Sequence, residues 1–260
     1  MELSTAWVKY VNRLSAIDKT ATDKIAEFLA DFNQLGGSNF DYGNPKHMQA
    51  LIDYAYGVST TYGEAAAALA CEMYDAVGLG SGMFLEPAVP VNPADAKAVA
   101  TTIIDAAGAR NDSIVASRVG RLVKKVGIDT VLQNAKRDGA EVAWVPNGDT
   151  CAYCIALAAR GWRDADYSYE EHIHSNCDCT LATRFNNQTS IKGYDPRKYE
   201  DMYYGADLDG RKATAKNRVN ALRREFYAKN KEEINAQKRM NYAERKERLN
   251  SSEAEETNVN

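Results

Sequence analysis

The sequence lacks the features that mark a membrane protein or a common enzyme class. No run approaches the roughly 18 consecutive apolar residues that suggest a membrane span, so we expect no membrane partner. The N-terminus lacks a basic segment followed by an apolar one, so no secretory signal is expected and synthesis should be cytoplasmic. No Walker loop, Ser/His/Asp order or paired-carboxylate arrangement stands out. We therefore expect no catalytic activity and no small-molecule substrate.

What is present is an ordinary globular composition with an uneven distribution of charge. The 260 residues are 45% hydrophobic and 26% charged, enough for one large domain or two small ones. The net charge of −4 is a poor guide to partners. Residues 1–210 carry 19 basic and 28 acidic side chains (−9), whereas 211–248 carry 13 basic and 5 acidic ones (+8). The last ten residues contribute three glutamates.

The first 139 residues show the apolar spacing of amphipathic helices. One stripe with the 3.6-residue helical period consists of Ile25, Phe28, Leu29, Phe32 and Leu35. Further stripes cover roughly 48–77, 96–104 and 114–126, and His47 is expected in the first turn of its helix.

Capping residues, proline and glycine predict where the helices begin and end. Asn92-Pro93 predicts an N-cap followed by proline at the first helical position, and Gly108 predicts the end of that helix. Gly127 predicts the end of the next helix, followed by a short one from Asp129 to 137. Asp138-Gly139 predicts a turn.

The pattern changes after residue 139. Residues 140–145 are rich in β-formers and predict a strand that ends at Pro146. From Gly210 onward large apolar residues become too sparse for a self-sufficient amphipathic helix. The predicted fold is mainly α: a helical domain (1–139), a small α+β zinc-stabilised module (140–209), and a basic helical or loose tail with an acidic end (210–260).

Four of the five cysteines cluster between positions 151 and 179, which in a cytosolic chain favours metal binding over disulfides. Cys151-x-x-Cys154 has the spacing of one half of a structural zinc site, and His174-x-x-Cys177-x-Cys179 supplies the second. The preferred set is Cys151, Cys154, His174 and one of Cys177 or Cys179, with Cys177 slightly favoured by its spacing.

Several alternatives to this zinc set stay open. His172 is a sixth candidate ligand, and a four-thiolate site would omit histidine. Disulfides, a redox-active CxxC and buried cysteines without metal are the other readings. No HExxH or HxE pattern accompanies the ligands, so the predicted zinc is structural. The tyrosines around the cluster, among them Tyr194 and Tyr199, are expected to pack the module or an interface.

Residues 144–203 resemble the Mu-F-like family of bacteriophage minor head proteins, also called head morphogenesis proteins. The resemblance rests on VPNGDTCAYCIALAARGW, HSNCDCTL and GYDPRKYEDMY. The family's C-x-x-C and H-x-x-C-x-C pattern falls on Cys151, Cys154, His174, Cys177 and Cys179. Ser175 and Asp178 replace the proline and arginine that many members carry, so no role of that arginine transfers.

The resemblance implies a non-catalytic structural protein of a phage head, present in the virion and in the host cytoplasm during assembly. Its implied partners are portal, capsid or scaffolding proteins, with genome ejection as a further candidate role. The rivals are a zinc-supported HNH-like nuclease that uses the histidines of EEHIHSNC, and a DNA-binding zinc module.

The basic tail has two readings of its own, contact with packaged DNA or with a neighbouring subunit. Its candidate nucleic-acid contacts are Arg223, Arg224, Lys238 and Arg239.

Overall fold

A computed structural model describes residues 4–35, 40–147, 152–165, 179–186, 190–191 and 193–204. The described helices are α1 (Ser4–Leu35), α2 (Pro45–Gly80), α3 (Ala96–Ala107), α4 (Asp112–Asp138), α5 (Ala152–Ala159) and α6 (Pro196–Tyr204). The described strands are β1 (Glu141–Val145), β2 (Arg163–Asp164) and β3 (Thr180–Arg184). Among these helices, none is both long and apolar enough to cross a bilayer.

Three long helices, α1, α2 and α4, pack against one another and form the centre of the described fold. Their contact stripes are the ones that the sequence period predicts, and they bury Leu14, Ile25, Leu51 and Val123 completely. The shorter α3 packs on α2 and α4. Burying side chains of this size is the main favourable contribution to the stability of such a bundle.

The small sheet is antiparallel, with strand order β2-β1-β3. β1 lies in the middle, where Val145 pairs with Thr180 and Glu141 with Arg184. The predicted strand over 140–145 is therefore confirmed. Its buried residues belong to the same hydrophobic core as the long helices, and Phe185, just after β3, meets Tyr74 of α2 edge to face, with 5.4 Å between ring centroids.

The predicted break at Gly127 is wrong, because α4 continues without interruption to Asp138. A β-carbon at Gly127 would lie only 3.2 Å from Leu14 Cδ1 and 3.3 Å from the Ala66 carbonyl oxygen. This glycine lets three helices approach closely and does not end one. The end predicted at 138–139 is confirmed, since Gly139 adopts a left-handed φ of 62° as the C-cap.

The predicted start of α3 is also wrong. The N-cap is Asp95, whose carboxylate accepts a hydrogen bond from the Ala98 amide at 2.8 Å. Pro93 instead packs its ring near Gly63 of α2, where a β-carbon would meet it at 3.1 Å. Gly108 does cap the end of α3, and His47 does lie in the first turn of α2, as predicted.

The predicted fold class, a mainly helical chain followed by a small α+β part, is confirmed over the described residues. The chain divides into two compact units, residues 1–206 and 207–260, and every described residue belongs to the first. The basic tail predicted for 210–260 lies outside the described residues. The three-domain division and the zinc in the module stay predictions.

Candidate functional site

Two of the five candidate zinc ligands lie in the described part of the chain. Cys154 sits in α5 with 1% of its surface exposed, and Cys179 directly precedes β3 with 4% exposed. Cys151, His174 and Cys177 lie outside the described residues, and so does His172. The structure therefore locates one cysteine from each predicted half-site.

The central strand β1 organises the surroundings of both cysteines. Helix α5, which carries Cys154, packs against β1, and β3, which follows Cys179, pairs with it along its whole length. Beyond β1 the Asn147 side-chain amide donates a hydrogen bond to Thr180 Oγ1 at 2.9 Å. This hydrogen bond joins Asn147, four residues before Cys151 in the sequence, to Thr180, the residue that follows Cys179.

Three aromatic side chains, those of Trp162, Tyr194 and Tyr199, pack together beside α5, and we refer to them as the aromatic wall. The Tyr194 hydroxyl donates a hydrogen bond to the Ala158 carbonyl of α5 at 3.0 Å. Tyr194 also contacts the rings of Trp162 and Tyr199, with 6.0 Å between centroids in each pair. The packing role predicted for Tyr194 and Tyr199 is confirmed.

Electrostatic contacts link the aromatic wall to Cys179 and to the sheet. Burial, and after it the nearby Cys179 sulfur, raises the pKa of the Tyr199 hydroxyl. The Arg184 guanidinium lies over the Trp162 ring, 4.8 Å from its centroid, and forms a 2.7 Å ion pair with Glu141. These contacts hold α6 and the residues that follow α5 against β3.

Two buried thiols, one on α5 and one directly before β3, fit the donor chemistry of a structural zinc ion, which favours cysteine thiolates. Cys154 and Cys179 would each supply one sulfur ligand. Within the described ranges, no three His, Cys, Asp or Glu side chains are grouped closely enough to hold a metal ion. Since three candidate ligands fall outside those ranges, zinc binding stays a prediction.

Sequence reasoning missed the supporting residues around the two cysteines. Asn147 and Gly148 form a pair typical of a tight turn, and that pattern does not predict the hydrogen bond by which the Asn147 side chain joins the residues after β1 to Thr180 of β3. Arg184 and Trp162 gave no local signal, because their contact links positions 22 residues apart in the sequence. The four candidate nucleic-acid contacts of the tail, Arg223, Arg224, Lys238 and Arg239, lie outside the described residues.

These features define a mainly helical protein with a small antiparallel sheet and two buried cysteines. One cysteine lies on the helix that packs against the central strand, and the other directly precedes a strand that pairs with it. The profile of the VG15 protein family matches residues 1–206, and the chain belongs to that family. No curated protein and no solved structure matches the chain.

Proposed function

We propose that this protein is a non-catalytic minor structural component of a bacteriophage head. It would act at the portal or the capsid interior during head assembly, with genome ejection as a further role. Its partners would be portal, capsid or scaffolding proteins of the same phage. The proposal includes one structural zinc ion in each chain.

The observation that carries this proposal is the cysteine pattern together with its structural setting. C-x-x-C followed by H-x-x-C-x-C resembles the Mu-F-like minor head proteins, and here it follows a long helical region. Cys154 and Cys179 are both buried beside the same small sheet. That setting supports a scaffold role, because both thiols are part of a packed core.

The direct experiment is proteomic. Virions of the phage that encodes this chain are purified on a density gradient, and their proteins are quantified by mass spectrometry after the tails have been removed. The expected result is this chain in the head fraction at a constant ratio to the portal protein. Its absence from purified heads, with the chain present in infected cells, would contradict the proposal.

The nuclease rival predicts a different result in a second assay. Metal-dependent nicking of plasmid DNA by the purified protein, lost in His172→Ala or His174→Ala with the fold retained, would replace the structural proposal with an enzymatic one. Under the structural proposal, neither variant changes the background nicking rate. The matched control is His47→Ala, because His47 contacts the rings of Phe32 on α1 and of Phe40, which precedes α2, outside the cysteine region.

The partner of the basic tail, either packaged DNA or a neighbouring subunit, is the remaining part of the proposal. Phosphate-driven binding should fall steeply between about 50 and 200 mM salt, because lysine and arginine release counterions from phosphate. Replacing Arg223, Arg224, Lys238 and Arg239 by alanine should weaken binding uniformly across DNA sequences. If the tail instead contacts a neighbouring subunit, Leu222→Ala or Phe226→Ala should disrupt assembly with little salt dependence.

A further inference from the structure

The pairing of β1 with β3 brings together the chain segments that adjoin the two predicted zinc half-sites. β1 ends at Val145, which pairs with Thr180, the first residue of β3. In an antiparallel pair, the end of one strand lies beside the start of the other. The chain therefore leaves β1 toward Cys151 at the same end of the sheet at which it enters β3 from Cys179.

One side-chain hydrogen bond joins these two segments beyond the last backbone pair. The Asn147 side-chain amide donates to Thr180 Oγ1 at 2.9 Å. Thr180 is 1% exposed, so its hydroxyl depends on protein groups for its hydrogen bonds. Pro146, between Val145 and Asn147, has no amide hydrogen to donate. A side chain thus makes the contact between the segments at this end of the sheet.

The same bond fixes one end of the short segment that contains Cys151. Residues 148–151 connect Asn147 to α5, which begins at Ala152 and packs against β1. The Tyr194 hydroxyl holds α5 in turn, through the 3.0 Å hydrogen bond to the Ala158 carbonyl. Because this segment has an anchored residue on either side, it has less conformational freedom to lose when its cysteine binds an ion.

Thr180 stands in an equally direct relation to the second half-site. It directly follows Cys179, which is 4% exposed. Its backbone pairs with Val145 and its side chain binds Asn147, so the residue next to Cys179 is held at two points. Groups that orient metal ligands commonly matter about 10- to 100-fold for metal affinity.

We propose that Asn147 is a positioning residue of the zinc site, which acts through Thr180 to align the two half-sites before the ion binds. The inference rests on the structural zinc ion of the proposed function and adds a residue that the cysteine and histidine pattern does not contain. Asn147 supplies no ligand in this role. It lowers the ordering cost of zinc binding, because the segments next to Cys151 and Cys179 are already joined.

Zinc affinity of the full chain, measured by competition with a chromophoric chelator, tests the proposal. Asn147→Ala and Thr180→Val each remove the hydrogen bond, and each should weaken zinc binding by roughly tenfold. Thr180→Ser keeps the hydroxyl and should bind zinc as the wild type does. The double variant Asn147→Ala/Thr180→Val should bind no more weakly than the weaker single variant, because both changes remove the same bond.

Thr183→Val is the matched control for a merely structural effect. Thr183 is also 1% exposed on β3, but its hydroxyl donates to the Glu141 carbonyl at 3.3 Å, at the opposite end of the pairing with β1. Its replacement should lower the melting temperature of the zinc-free chain, because a buried hydrogen bond is lost. It should leave the zinc affinity unchanged.

The possible results separate this inference from the zinc site itself. Unchanged affinity in both Asn147→Ala and Thr180→Val, with zinc bound by the wild type, would overturn the positioning role and leave the zinc site standing. An equal loss of affinity in Thr183→Val would assign the effect to general destabilisation and would also overturn that role. A wild type that binds no zinc would overturn the zinc site and this inference with it.

Discussion

Gly120 on α4 shows how one missing side chain sets the distance between helices. A β-carbon there would overlap Thr22 Oγ1 and the Asp18 carboxylate of α1, and would lie 3.1 Å from the Asp18 carbonyl oxygen. Alanine has the higher helix propensity, so its effect on an isolated helix would be stabilising. In the bundle the steric overlap outweighs that gain.

We therefore predict that Gly120→Ala lowers the free energy of unfolding by about 1–3 kcal/mol. Gly57 of α2 is the matched control, because it is exposed and a β-carbon there would meet nothing within 4 Å. Gly57→Ala should raise the same free energy by about 0.5–1 kcal/mol. Urea unfolding of both variants measures the two effects, and equal effects of the same sign would contradict this account of Gly120.

Asp138 at the end of α4 links stability to pH. Hydrogen bonds from Arg137, and then from Tyr74, lower the pKa of its carboxyl below the ordinary value. The unfolded chain therefore takes up a proton more readily than the folded one at acid pH. The contribution of Asp138 to stability is fully present above the ordinary pKa of about 4 and is lost as the pH falls through the lower, folded-state pKa.

The expected result is a loss of unfolding free energy in this acid range that is smaller in Asp138→Asn than in the wild type. Guanidinium unfolding at a series of pH values from about 6 down to about 2.5 measures the difference. Asp53→Asn is the control, because its carboxylate accepts a hydrogen bond from the exposed side chain of Gln49 and belongs to a different helix from Asp138. If Asp138→Asn and Asp53→Asn change the loss of unfolding free energy at acid pH equally, the hydrogen bonds of Asp138 with Arg137 and Tyr74 are not the cause of that loss.

At the scale of elements, two buried polar side chains of α4 form hydrogen bonds to the connector between α2 and α3, residues 81–95. Thr130 and Asn134 are 0% and 1% exposed, and one helical turn separates them. Asn134→Ala removes both hydrogen bonds to Val89, and we expect it to cost about 2–3 kcal/mol of unfolding free energy. Amide hydrogen exchange should accelerate at Val89 more than at Ala88, because Asp75 continues to hold the Ala88 amide. Equal acceleration at both amides would mean that the connector is held as one piece.

The elements also show what the sequence could and could not predict. Stripes such as the one from Ile25 to Leu35, which predicts the C-terminal part of α1, are correct because burial of one helical face produces a periodic apolar pattern in the sequence. Gly127 and Pro93 misled the boundary predictions, since each residue is used for close packing between helices that are distant in the sequence. Propensity rules describe only local conformation, so they assigned both residues to helix ends.

The candidate site was predictable to a different extent. Residue type and spacing identified Cys154 and Cys179 as candidate ligands, because the tetrahedral geometry of a zinc site restricts both the type of its ligands and their spacing in the sequence. The hydrogen bond between Asn147 and Thr180 and the stacking of Arg184 on Trp162 depend on the pairing of β1 with β3 and on the turn after α5. Contacts of that kind leave no periodic pattern in the sequence.

At the scale of the whole molecule, zinc binding and the hydrophobic core should be coupled. Cys154, Cys179, β1 and β3 belong to the same core cluster as the long helices, and Phe185 joins the end of the sheet to α2. Structural zinc sites contribute directly to folding free energy. Removing the ion should therefore destabilise α1, α2 and α4 as well as the residues around the cysteines.

We predict about one zinc ion per chain of purified protein, as expected for a single four-ligand site, and a lower melting temperature of the helical signal after chelation. Cys154→Ser and Cys179→Ser should both reduce the zinc content, whereas Cys71→Ser should not, because Cys71 lies on α2 outside the cluster. Amide hydrogen exchange after chelation should increase first in α5 and at the start of β3, and later in α4. The delay is expected because α4 is affected only through the hydrophobic core that it shares with the residues around the cysteines. Full zinc content in both the Cys154 and Cys179 variants would show that neither is a ligand. A melting temperature unaffected by chelation of a zinc-loaded protein would show that the ion and the helical core are not coupled.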